Sequence, residues 1–205
     1  MMTPNELYDI LWSTILADGG ERFDDEYYFQ NPLSFFSDLL KGCDDIEVCD
    51  GATKICLIPE DGDFVFKINI IDVCKDYCEY EADNYQEAVK AGKDRYFLET
   101  KYFKTLNECG VCFPIYIQPK IDEISSEIDS ESDEEINIPS SYCSSPAAWR
   151  MSPTWIYNFI EMYGKDEYFN LLEFCDKAGI NDLHSGNIGY VNGCPVIFDY
   201  AGYFE

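Results

Sequence analysis

The chain is short of positive charge. Fourteen Lys and Arg stand against forty Asp and Glu in 205 residues, a formal net charge of −26, with a sequence pI near 4.1. A reader of phosphate backbones needs a basic face, so repulsion excludes nucleic acid as a partner. Long apolar runs are missing too. No stretch approaches the ~18 to 20 residues that cross a bilayer, and Met1 to Ala17 lacks a basic, signal-like start. The expectation is a cytoplasmic protein with no membrane partner. No internal repeat occurs. Apolar residues at 46% and aromatics at 16% are enough to bury a core.

Ten cysteines are scattered at 43, 49, 56, 74, 78, 109, 112, 143, 175 and 194. Several lie in apolar stretches, as Cys56 does in K-I-C-L-I, and buried free thiols are the first reading. Two sharper readings stand beside it. Cys74, Cys78, Cys109 and Cys112 have a spacing that zinc accepts. Cys109 and Cys112 alone form a C-x-x-C pair, although no helix opens after the first of them.

Thr3-Pro4-Asn5-Glu6 reads as a capping box that opens a helix carrying Leu7, Ile10, Leu11 and Ile15 at helical spacing. Asn31-Pro32 opens a second, shorter one, and residues 1–45 form an N-terminal helical extension. From Ile46 the period changes to two. Strands are expected at 46–49, 55–58 and 63–71, with Pro59 to Gly62 as a hairpin turn. Phe64, Phe66, Ile68 and Ile70 fall on one face, and Val65, Lys67 and Asn69 on the other. Residues 75–91 read as a helix, and 97–103 and 111–118 as two more strands. Composition breaks at Glu123: residues 123–135 hold seven acids and four serines, which reads as an exposed, disordered acidic insert continuing to about Ser145. Helical patterns resume over 153–163 and 167–178. Short strands and loops are expected from Gly179 onward.

Within that last stretch stands G-I-N-D-L-H-S-G-N-I-G-Y, residues 179–190, followed by P-V-I-F-D-Y-A-G, residues 195–202. Asp182, Asn187 and Asp199 thus occupy a loop, the same loop and the end of an apolar strand. Phosphoryl transfer uses such a set: one carboxylate orients a hydroxyl, while an amide and a second carboxylate hold Mg²⁺ against the phosphates. This pattern resembles the catalytic loop and metal-binding Asp-Phe-Gly of the protein-kinase-like superfamily. The D-L-H-x-G-N-I form is similar to that of aminoglycoside and choline phosphotransferases and of small phage or bacterial kinase-like proteins. F-V-F-K, residues 64–67, resembles the family's V-A-I-K strand.

The resemblance implies an α+β, minimal two-lobed fold: an N-terminal antiparallel sheet lobe over 46–122, the acidic insert over 123–145, and a truncated helical lobe over 146–205. It implies ATP and Mg²⁺ as cofactors. Lys67 would pair the α- and β-phosphates, Val65 would lie against adenine, and the turn at Gly51 would form the phosphate loop. Asp182 would orient the acceptor, and Asn187 and Asp199 would hold the metal. The lysine also needs a helical glutamate, and Glu79, Glu81 and Glu87 are available. At about 100° per residue, Glu81 falls among Tyr77, Tyr85 and Ala88 on an apolar stripe, where a carboxylate requires a partner. Glu81 is therefore expected to face Lys67. His184 reads as a loop histidine that bonds backbone, with no proton-transfer task.

Two departures from the family pattern bear on function. The phosphate loop offers only Gly51, with Thr53 or Lys54 as possible helpers. Only six residues follow Asp199, and the expectation is a lobe without the helices that bind peptide substrate in a full protein kinase. A phosphotransferase with an unspecified hydroxyl acceptor is the first expectation. A pseudokinase that senses nucleotide or binds a protein partner is the second. The third is an acidic decoy, of viral origin, that engages a basic host partner.

Overall fold

The computed structural model describes residues 1–18, 32–51, 53–69, 76–108, 111–121, 123–124, 138–148 and 150–202. The chain is α+β. Among the described residues are five α-helices, a five-stranded antiparallel sheet and a three-stranded sheet. None of these helices is long and apolar enough to cross a membrane. The chain divides into two compact units, Met1–Glu79 with Thr100–Lys120, and Tyr80–Glu99 with Ile121–Glu205.

The first unit opens with α1 (Pro4–Asp18) and α2 (Pro32–Leu39). The capping box at the start of α1 forms: Glu6 N donates to Thr3 Oγ1 at 3.3 Å, and Thr3 N donates to Glu6 Oε2 at 2.7 Å. The strands follow as β1 (Ile46–Asp50), β2 (Lys54–Pro59), β3 (Phe64–Asn69), β4 (Lys101–Glu108) and β5 (Val111–Pro119). Their order in the sheet is β1-β2-β3-β5-β4, so β3 is central. Alternation places Ile55, Leu57, Phe64, Phe66, Ile68 and Ile115 on one face. There they join Leu7, Leu11, Ile15, Phe35, Phe36, Leu39 and Leu40 in one buried core. The two N-terminal helices are thus part of this unit's core, with α1 against β4 and α2 against β1.

The second unit holds most of α3 (Tyr77–Lys90), then a 3₁₀ turn (Asp94–Tyr96), β6 (Glu123–Ile124), a second 3₁₀ turn (Ser140–Cys143), α4 (Pro153–Tyr163), α5 (Lys165–Ala178), β7 (Ile188–Val191) and β8 (Cys194–Ile197). Ser152 caps α4 by accepting from Trp155 N at 3.2 Å, and Pro153 fills the first turn. Gly179, at φ 73°, ends α5 in the left-handed conformation that glycine adopts without penalty. The core is aromatic: Tyr96, Trp155, Phe159, Tyr168 and Tyr200 are all buried in it.

Three boundaries differ from the sequence expectation. Residues 97–103 are not one strand. Phe97 makes a parallel bridge to Ile197 beside β8, and β4 begins only at Lys101. A single β-favouring run is split between an isolated bridge and a strand, which propensity cannot reveal. The acidic insert is not extended coil up to Ser145. Ile138, Tyr142 and Cys143 pack against the second core, and Tyr168 Oη donates to Tyr142 O at 2.9 Å. At the insert's other end Glu123–Ile124 pairs with β7. The rest of the insert, residues 125–137, lies outside the described residues, as do Ile70, Cys74 and Cys109, and with these two cysteines both sharper cysteine readings. Of the other cysteines, Cys78 and Cys175 are buried and Cys112 is exposed, all as free thiols. Burial pushes the Cys175 thiol pKa well above its usual range, as expected of an inert core cysteine.

Candidate functional site

The Asp182 loop is built from the end of α5 to the start of β7. Ile180 N donates to Cys175 O at 2.9 Å and turns the chain out of the helix. Leu183 and Ile180 are buried, which anchors the loop on both sides of Asp182. Gly202, at φ 77°, approaches so closely that a Cβ there would stand 2.2 Å from Gly179 O.

A tight hairpin then returns the chain to the loop. β7 and β8 pair antiparallel with Val191 opposite Cys194, leaving Asn192 and Gly193 as the turn. Both have positive φ, 51° and 74°, the combination a type I′ turn requires. The consequence is local and geometric. Phe198 N and Asp199 N both donate to Asn187 O, at 3.0 and 3.3 Å. Asp199 is therefore held beside Asn187 by a backbone fork, although eleven residues separate them.

Asn187 is buried to 9% exposure. Its Nδ2 donates to the Asp182 carbonyl at 2.6 Å and lies 3.5 Å from Asp182 Oδ2. This spends the nitrogen end of the amide on the loop and leaves Oδ1 as the end that can ligate. Asp182 has 14% exposure, with Arg150 Nη1 3.4 Å from its Oδ1. His184 Nε2 is 3.6 Å from Oδ2. His184 Nδ1 accepts from Gly186 N at 3.0 Å, so the histidine bonds backbone as expected. A Cβ at Gly186 would come within 2.8 Å of the imidazole, so a larger residue there would require the ring to shift.

The structure thus brings Asp182, Asn187 and Asp199 together within the second unit. Glu81 belongs to the same unit. It is fully buried on α3, as the stripe argument requires, and it is not without a partner. One turn further along α3, Asn84 Nδ2 donates to Tyr200 O at 3.0 Å, tying the helix to the residue after Asp199.

Lys67, Val65 and Gly51 belong to the first unit. Lys67 lies on the central strand opposite Cys56 and Tyr116, on the sheet face away from the apolar core. It is buried to 3% exposure, and it also has a partner. Val65 shares its face, opposite Gln118, whose Nε2 donates to Thr100 Oγ1 at 2.8 Å. Gly51 is exposed in the β1–β2 turn, where its N donates to Lys54 O at 2.8 Å. A Cβ there would meet only ordinary contact at 3.6 Å, so nothing steric demands glycine. Lys54 is buried, opposite Asn69. Its charge bears on Asp76, whose carboxyl caps α3 by accepting from Cys78 N and Glu79 N, and whose pKa burial nonetheless raises.

Sequence reasoning missed Arg150 and the fork at Asn187 O. Arg150 is 32 residues upstream of Asp182 and carries no local signal. The fork was foreshadowed by Asn192-Gly193, the strongest two-residue hairpin signal. Among the described residues no three His, Cys, Asp or Glu side chains converge to hold a metal. The chain matches no protein-family model and no curated protein sequence.

Proposed function

We propose that the chain is a minimal kinase-like protein that binds Mg·ATP and transfers the γ-phosphoryl group to a hydroxyl acceptor. The observation that carries this reading is the convergence of Asp182, Asn187 and Asp199, fixed by the hairpin turn and the backbone fork. In this reading Asp182 orients the acceptor hydroxyl and takes its proton, while Asn187 Oδ1 and the Asp199 carboxylate hold the metal. An amide and a carboxylate suit Mg²⁺, a hard cation that keeps waters and substrate phosphates as its other ligands. The bound ion would supply charge neutralisation on the phosphates. Lys67 is assigned to the α- and β-phosphates and Glu81 to that lysine. Both are buried charges of the kind that persist only when paired. Val65 is assigned to the adenine face and Gly51 to the phosphate turn, where backbone N–H groups do the binding.

The test is transfer from radiolabelled ATP with Mg²⁺, run with and without added cell lysate as a source of acceptor. The expected result is a labelled product that is lost in Asp182→Asn, because positioning and proton acceptance act in the transition state. Labelling that persists unchanged in Asp182→Asn would contradict the assignment. Nucleotide binding without transfer would reduce the reading to a nucleotide-binding module.

A further inference from the structure

We infer that Arg150 is the positioning residue for Asp182, an inference that rests on the phosphotransfer reading above. Among the described residues three groups converge on this carboxylate. Asn187 and His184 reach Oδ2 from inside the loop. Among the described residues Arg150 alone reaches Oδ1, and it comes from outside the loop, at 3.4 Å. A carboxylate held only from its own loop moves whenever the loop moves. A guanidinium on a separate, anchored segment removes that freedom.

The segment is anchored. Ala147 and Ala148 are buried, and Met151 N donates to Ala148 O at 3.1 Å. Ser152 caps α4 directly afterwards. Trp155 Nε1 then donates to Gly189 O at 3.1 Å, and Asn158 Nδ2 donates to Tyr190 Oη at 3.0 Å. Both bonds tie α4 to β7, the strand that begins immediately after Asn187. Arg150 therefore holds Asp182 relative to β7, the strand that Asn187 immediately precedes. The charge is placed sparingly, for only fourteen Lys and Arg serve the whole chain. At 48% exposure, the guanidinium is too open for the pair to act chiefly as a stability device.

The experiment uses Arg150→Gln and Arg150→Lys in the full chain, with two readouts. The first is the NMR spectrum of the histidine ring. His184 is the one histidine, and its Nε2 faces Asp182 Oδ2, so its ring signals report the carboxylate's orientation. They should shift in Arg150→Gln and return toward wild type in Arg150→Lys. The second is turnover. Arg150→Gln should lower kcat about tenfold to a hundredfold, the scale of a misplaced reacting group, with KM for ATP unchanged and partial recovery in Arg150→Lys. Unchanged ring signals in Arg150→Gln overturn the inference. So does a kcat loss that lysine does not recover, or a rise in KM for ATP with kcat intact. A wild-type protein with no Mg-dependent ATP binding overturns the phosphotransfer reading itself, a failure visible before any Arg150 variant is made.

Discussion

The first unit buries an apolar sheet face beneath two helices, whereas the second buries tyrosines and a tryptophan whose polar atoms carry hydrogen bonds. In the first, Leu7, Leu11, Phe36, Phe66 and Ile68 supply shape and no polar atom. In the second, Tyr96 Oη donates to Glu167, Tyr168 Oη to Tyr142 O, Tyr200 Oη to Leu98 O and Trp155 Nε1 to Gly189 O. Apolar packing specifies volume and tolerates repacking. A buried hydrogen bond specifies a position, because breaking it strands a desolvated donor or acceptor. The unit carrying Asp182, Asn187 and Asp199 is the one whose core is pinned in this way.

The largest expected effect tests how closely the second unit's backbone is packed. Gly202→Ala puts a methyl group 2.2 Å from Gly179 O at a positive φ. It should cost on the order of 3 kcal/mol or more in urea unfolding. Gly51→Ala in the first unit meets nothing closer than 3.6 Å and should change stability by less than about 0.5 kcal/mol. Equal losses from the two substitutions would break the comparison.

A smaller effect sharpens it through pH. Glu167 accepts from Lys93 Nζ at 2.7 Å and Tyr96 Oη at 2.8 Å. The lysine is the main cause that lowers its pKa from 4.5 to about 2, against the opposing effect of burial. Burial, and then the same carboxylate, raise the Tyr96 hydroxyl pKa. A depressed carboxyl pKa contributes stability above its ordinary value and loses it as pH falls through the folded one. Glu167→Gln should therefore cost about 1 to 2 kcal/mol at pH 7, allowing for solvent screening. The difference from wild type should shrink between pH 4.5 and about 2. A pH-independent difference would mean that the carboxylate acts through packing alone.

How much of this was legible in the sequence also differs between the units. Period two in F-V-F-K-I-N gave the central strand and the side on which Lys67 falls. Helical spacing gave α4 with its observed bounds, and the stripe on α3 gave a buried Glu81. These are local patterns, and local patterns are written in the residues themselves. The loop motif gave Asp182, Asn187 and Asp199 as types in order, but their convergence depends on Asn192-Gly193 closing a hairpin. Arg150 could not be read at all. Its relation to Asp182 is made by Trp155 and Asn158 docking α4 on β7, a tertiary event without a sequence period. The segment 138–145 was misread for the opposite reason. Its serines and its acidic neighbours suggested coil, yet Tyr142 and Cys143 find the core of the second unit.

The central claim is that Asn187 and Asp199 hold a metal against bound nucleotide while Asp182 faces the acceptor. Thermal unfolding with Mg·ATP tests it most directly. A ligand that binds only the folded state stabilises it by about 2.7 kcal/mol at a hundredfold excess over Kd. Wild type should show that Mg-dependent shift, Asp199→Asn should lose most of it, and Asp182→Asn should keep it. An absent shift in wild type, or a shift of equal size in Asp199→Asn, would contradict the account.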